Sequence, residues 1–204
     1  MHNLTNELPR SFADRQNPVL LTRSRALTFH ARVIAIVMIA AFGLIGVACS
    51  DSETDQGASG AARMEDQGQE HVSPGQPHDA YSSIPAISGP HFGQPLAPAR
   101  WGVHQQPLPD EVLVHNLEHG YVDVHYDCPE GCSELVEQLT SIVGDFGAQG
   151  AKVLLSPYPN MGSRIALTAW TYIETMEEFD EGRIVAFIEA RESSRDAPEY
   201  NVGR

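Results

Sequence analysis

The chain has 204 residues and a formal net charge of −14, with 13 Lys and Arg against 27 Asp and Glu. That length allows one domain with extensions. So acidic a balance excludes a role resting on a basic phosphate-binding surface, and no nucleic-acid partner is expected.

Residues 1–32 are polar and carry Arg10, Arg15, Arg23, Arg25 and Arg32. Residues 33–48, VIAIVMIAAFGLIGVA, carry no charge. As a helix they span about 24 Å, short of the roughly 30 Å hydrocarbon core of a bilayer. A basic flank before a short apolar core reads as an export signal. Gly46-Val47-Ala48-Cys49 resembles the lipobox of bacterial lipoproteins, in which the cysteine is lipidated, although Gly46 stands where that pattern usually has Leu. An uncleaved signal anchor is the alternative. Both readings tie the chain to the cytoplasmic membrane, by lipid or by anchor helix. The arginines before the core place the rest on the extracytoplasmic side. That remainder, residues 50–204, holds 8 basic and 25 acidic groups, a surface that attracts cations.

Residues 50–70 have Met64 as their one bulky apolar side chain and read as a disordered tether. Residues 71–110 are rich in Pro and Gly, so regular structure should be scarce there, and Tyr81, Phe92 and Trp101 offer docking anchors. The alternation over Val112–His115 and Tyr121–Tyr126 predicts two strands. Leu135, Val136, Leu139, Ile142 and Val143 form one face of a helix over Cys132–Val143. Lys152–Ser156 is a short buried strand, Pro157-Tyr158-Pro159-Asn160 a turn, and Arg164–Tyr172 another strand. Phe179–Ala190 is a helix, with Asp180 near its start suiting the helix dipole. Residues 196–204 read as a flexible tail. The order strand, strand, helix, strand, strand, helix implies an α+β fold. In it a small mixed or antiparallel sheet is packed by two helices and preceded by a long irregular segment.

From His71 to about Arg191 the chain resembles the bacterial domain-of-unknown-function family 3105. The words that carry the resemblance are HVSPGQP at 71–77, SGPHFG at 88–93, WGVH at 101–104, VHNLEHGYV at 114–122, SPYPNM at 156–161 and ALTAW at 166–170, with FDE at 179–181. The resemblance implies an exported or membrane-tethered domain, set here at 71–195. It implies no activity.

The chemistry concentrates at residues 114–132. His115-Asn116-Leu117-Glu118-His119 matches H-x-x-E-H, a zinc-peptidase pattern that needs a helix. Gly120 and the strand-like run after it allow about one helical turn, which argues against a peptidase. The same spacing still puts both histidines on one side. Seven of the nine histidines lie between 71 and 125. His91, His115 and His119 are the candidate metal ligands, Glu118 a fourth ligand or an orienting partner, and Met161 an outside soft donor. Imidazole with carboxylate suits zinc, and imidazole with sulfur suits copper. The plainer reading is that these histidines hold loops by hydrogen bonds.

With Cys49 lipidated, Cys128 and Cys132 remain to pair in a compartment that permits disulfides. CPEGC between strand and helix resembles the Cys-x-x-x-Cys of thioredoxin-fold copper chaperones of the Sco type, which implies a distantly thioredoxin-like fold and a redox or copper-delivery role. The crossover helix such a fold places before its third strand is absent. A structural disulfide is the simpler reading. Trp101 and Trp170 are expected in the core. No phosphate loop, nucleophile elbow or catalytic triad is present. Three functions stand: a metal-binding module, a thiol–disulfide or copper-delivery protein, and a non-catalytic interaction domain.

Overall fold

The structure, a computed structural model, describes residues 60–202. The basic region, the apolar core and Cys49 lie outside the described residues.

Three short strands lead the domain: β1 (Ala62–Arg63), β2 (His71–Val72) and β3 (His91–Phe92), followed by β4 (Gly102–Val103) and helix α1 (Asp110–Glu118). Then come β5 (Val122–Tyr126), α2 (Ser133–Ala148), β6 (Val153–Pro157), β7 (Ile165–Ala169), β8 (Tyr172–Met176) and α3 (Glu181–Arg191). A mixed six-stranded sheet has the order β1-β8-β7-β5-β6-β4, and β2 and β3 form a separate parallel pair. The α+β expectation holds, with three helices in place of two.

Alternation along the strands divides the large sheet into two unlike faces. One face carries Val122, Val124, Val153, Leu155, Ile165 and Leu167, which pack against Leu139 and Ile142 of α2 and Phe187 and Ile188 of α3. Each fully buried side chain of this size stabilises the fold by about 1.5–3 kcal/mol. Asp180 caps α3 by accepting a hydrogen bond from the Arg183 amide at 3.0 Å, and the Arg183 guanidinium pins the helix to buried Glu174 at 2.6 Å. The opposite face carries Asp123, His125, Ser156 and Thr168, all buried. It lies beneath α1 and the segment before it. There Val114 and Leu117 join Ala86, Ile87, Trp170 and Ala197 in a second, smaller core.

Parallel β5 and β6 are joined through α2 and followed by antiparallel β7 and β8 and then α3, with no helix between β6 and β7.

The structure departs from four expectations. Val112–His115 belongs to α1 and is not a strand. All residues from Val112 to Glu118 are buried, so the helix is enclosed on every side and shows no amphipathic period. Arg164–Tyr172 is not one strand. It breaks at Trp170-Thr171, where Thr171 takes φ 63°, and a tight hairpin returns as β8. Residues 60–70 do not hang free, because β1 pairs with β8 and Asp66 accepts a hydrogen bond from Trp170 Nε1 at 3.1 Å. The last described residues also dock: Ala197 is buried and the Glu199 amide donates to the Glu118 carbonyl at 2.9 Å. Among the described residues no helix is long and apolar enough to cross a membrane.

Candidate metal site

Three elements converge on one carboxylate. β2 and β3 pair in parallel with His71 opposite His91, so the two rings stand side by side, 4.8 Å between centroids. The last turn of α1 supplies His115 and Glu118, which share a helix side at i, i+3 spacing. Asn116, between them, ties α1 to the Pro/Gly-rich segment. Its Oδ1 accepts from the Ala99 amide at 2.8 Å and its Nδ2 donates to the Ala99 carbonyl at 3.2 Å.

Glu118 Oε2 lies 3.0 Å from His91 Nε2, 3.9 Å from His71 Nε2 and 4.0 Å from His115 Nδ1. One donor atom from each of the four residues falls within 4.8 Å of all the others. Donors bound at 2.0–2.2 Å to a tetrahedral ion stand about 3.4 Å apart, so small side-chain rotations close the set. His91, His115 and Glu118 are buried, and His71 closes the group on the solvent side.

The hydrogen bonding sharpens this geometry. His91 Nδ1 lies 2.8 Å from the Gly89 carbonyl, which can only accept, so Nδ1 carries the ring proton. The remaining nitrogen, Nε2, then points its lone pair at a carboxylate oxygen. Two acceptors 3.0 Å apart are held together only by a proton or a cation between them. An imidazole that donates to a backbone carbonyl and presents its other nitrogen is the usual metal-ligand arrangement. His115 is more pointed still, because both of its ring nitrogens are buried and without a hydrogen-bond partner. Leaving such groups unpaired costs about 1–3 kcal/mol each.

The electrostatics match. His115 is pushed down to about 4, by burial first and then by the neighbouring His119 and His91, with Glu118 opposing. A neutral imidazole is the form that binds metal. Burial pushes Glu118 up, but the hydrogen bond and charge of His91, with His115 and His71, outweigh it, and the net direction is down.

His119 faces elsewhere. Its ring stacks on His115 at 4.6 Å, but its Nε2 lies 3.4 Å from Glu199 Oε2 in the C-terminal segment. The sequence-proposed trio of His91, His115 and His119 is thus divided: His71 joins the first two, and His119 belongs with Glu118 and Glu199. Met161 is buried in the turn from β6 to β7. Other histidines have structural partners. His125 contacts Ser156 Oγ and Thr168 Oγ1 at 3.2 and 3.3 Å, and His104 meets the Arg100 carbonyl at 2.7 Å. His71 has a signal in the sequence, as the first residue of HVSPGQP, whereas Glu199 has none.

Cys128 and Cys132 are disulfide-bonded. The bridge lies at the start of α2, where Cys132 lines an open cleft of about 660 Å³ together with Glu130, Glu134, Arg164, Glu177 and Phe179. Neither cysteine belongs to the histidine group.

The fold and site define an α+β domain that gathers three imidazoles and a carboxylate under a buried helix. The chain belongs to the family described as Protein of unknown function (DUF3105), whose model matches residues 71–203. No curated protein and no solved structure matches it.

Proposed function

We propose that this protein is a metal-binding domain whose primary site is His71, His91, His115 and Glu118. The observation that carries the reading is a cluster of buried imidazoles converging on one carboxylate, one of them without any hydrogen-bond partner. His91 Nε2 faces Glu118 Oε2 at 3.0 Å, and His115 buries two unpartnered nitrogens beside the same carboxylate. A divalent cation there would take one nitrogen from each imidazole and one Glu118 oxygen. The converging donors are imidazole and carboxylate, which favours zinc over copper, and both cysteines are committed to a disulfide.

The reading includes a location. The apolar run at 33–48 and Cys49 after it support an exported, membrane-anchored lipoprotein, and a formed disulfide suits an oxidising compartment. The acidic surface then draws cations toward the site. The role is one of binding, with no catalytic step assigned.

The test is metal analysis of the purified full-length chain, stripped with chelator, reloaded with Zn²⁺ and desalted. The zinc of this site should be lost in His91→Ala and His115→Ala and retained in a double Cys128→Ser, Cys132→Ser variant. A native chain that holds no zinc, copper or other transition metal above background overturns the reading.

A further inference from the structure

We propose that the site is dinuclear, with Glu118 bridging two cations. The inference rests on the reading of the first group as a metal site and adds a second ion held by His119, Glu199 and the shared Glu118.

The H-x-x-E-H spacing at the end of α1 sets this up. His115 and His119 are one helical turn apart and stacked, and Glu118 belongs to the donor set of each: His71, His91, His115 and Glu118 on one side, Glu118, His119 and Glu199 on the other. Within each set the donor atoms lie within 4.8 Å of one another. A carboxylate common to two such sets is the device by which proteins hold two cations about 3.5–4 Å apart.

Glu199 is not a stray surface acid. The segment that carries it is built onto the helix end. The Glu199 amide donates to the Glu118 carbonyl at 2.9 Å, and the Ser193 amide donates to the Gly120 carbonyl at 2.8 Å. Buried Lys152 extends its ammonium to the carbonyls of His119, Tyr200 and Val202, which locks the segment to the C-terminus of α1. Ala197 anchors in the second core. The outcome is a Glu199 carboxylate, half-exposed, 3.4 Å from a nearly buried His119 Nε2.

The two positions differ in what they offer. The first has four protein donors and is closed, in the manner of a structural ion. The second has three, one of them shared and one open to solvent, so its ion keeps a place for water or a small anion. Water bound to an ion held there would be acidified.

The experiment is a Zn²⁺ titration of the chelator-stripped, full-length chain, read by bound zinc after desalting, with Co²⁺ loading in parallel. The expected result is two ions per chain for the native protein and one for Glu199→Gln and His119→Ala. A Co²⁺-loaded native chain should show spin coupling by electron paramagnetic resonance, lost in Glu199→Gln. Glu199 is half-exposed, so Glu199→Gln should keep the native circular dichroism and melting temperature. Saturation at one ion, or two ions retained in Glu199→Gln, overturns the dinuclear reading and leaves the primary site standing. Binding of no ion overturns both.

Discussion

His115 is the residue at which stability and binding pull apart. Its ring is buried with neither nitrogen bonded, and its basicity is pushed down to about 4, so it sits in the metal-free fold as a neutral polar group without compensation. A leucine of similar volume removes that cost, because replacing an unsatisfied buried polar group by an apolar one is near neutral or stabilising. His115→Leu should therefore leave the metal-free chain as stable as the native one, or more stable by about 1–2 kcal/mol, in chemical denaturation with chelator present. The same variant should lose the stabilisation that added Zn²⁺ gives the native chain. A variant much less stable than native without metal would mean that His115 holds the fold by contacts other than a cation.

At the scale of elements, what can be read from the chain depends on how each element is exposed. Helices α2 and α3 are legible because each packs one face on the sheet and shows the other to water, which leaves a 3.6-residue apolar period. Strands β5, β6 and β7 are legible as short apolar or alternating runs. Helix α1 is not, because it is enclosed on all sides and its Val112, Leu113 and Val114 read as a strand. Reading them so caps VHNLEHG at a single turn and hides the helical placement of His115, Glu118 and His119. Strand β8 is hidden because Trp170-Thr171 is not one of the Gly- or Asn-containing pairs that mark a tight hairpin. The donor cluster is legible in part: His91, His115 and Glu118 can be named from the sequence, and His71 cannot. Local spacing relates residues on one helix, but His71 meets His91 across a Pro- and Gly-rich stretch, and no local spacing rule reports such a contact. Glu199 is hidden for the same reason. Its approach to α1 turns on Gly120, which follows the helix at φ 76°. A Cβ there would stand 3.1 Å from Ser193 Cα and 3.2 Å from Tyr200 Cα. Both the left-handed backbone and the close approach of the C-terminal segment require glycine. Gly120→Ala should cost about 1–3 kcal/mol in urea denaturation and should loosen the segment that carries Glu199. Amide hydrogen exchange at Glu199, whose N–H bonds the Glu118 carbonyl, is the sensitive readout. Unchanged stability and unchanged protection would show that the segment adjusts without strain.

At the scale of the whole molecule, the sheet is apolar toward α2 and α3 and polar toward α1, and the polar face carries a cost that varies with pH. Asp123 is fully buried with both carboxylate oxygens unpartnered, and burial raises it well above its ordinary 3.8. His125, two residues along the same face, is pushed by burial from 6.5 down to about 3. The two act in opposite directions. Between about pH 3 and 6.5 the unfolded chain protonates His125 and the fold does not, so this residue's contribution is present above pH 6.5 and is lost as pH falls. Above pH 3.8 the unfolded chain releases the Asp123 proton that the fold retains, so stability falls as pH rises, by up to about 1.4 kcal/mol per unit. Asp123→Asn removes the second slope and leaves the first. The variant's stability relative to native should therefore grow from about pH 5 to about pH 7, measured by urea denaturation with chelator present to keep the proposed metal site out of the comparison. Parallel profiles for the two proteins would mean that Asp123 is ionised in the fold.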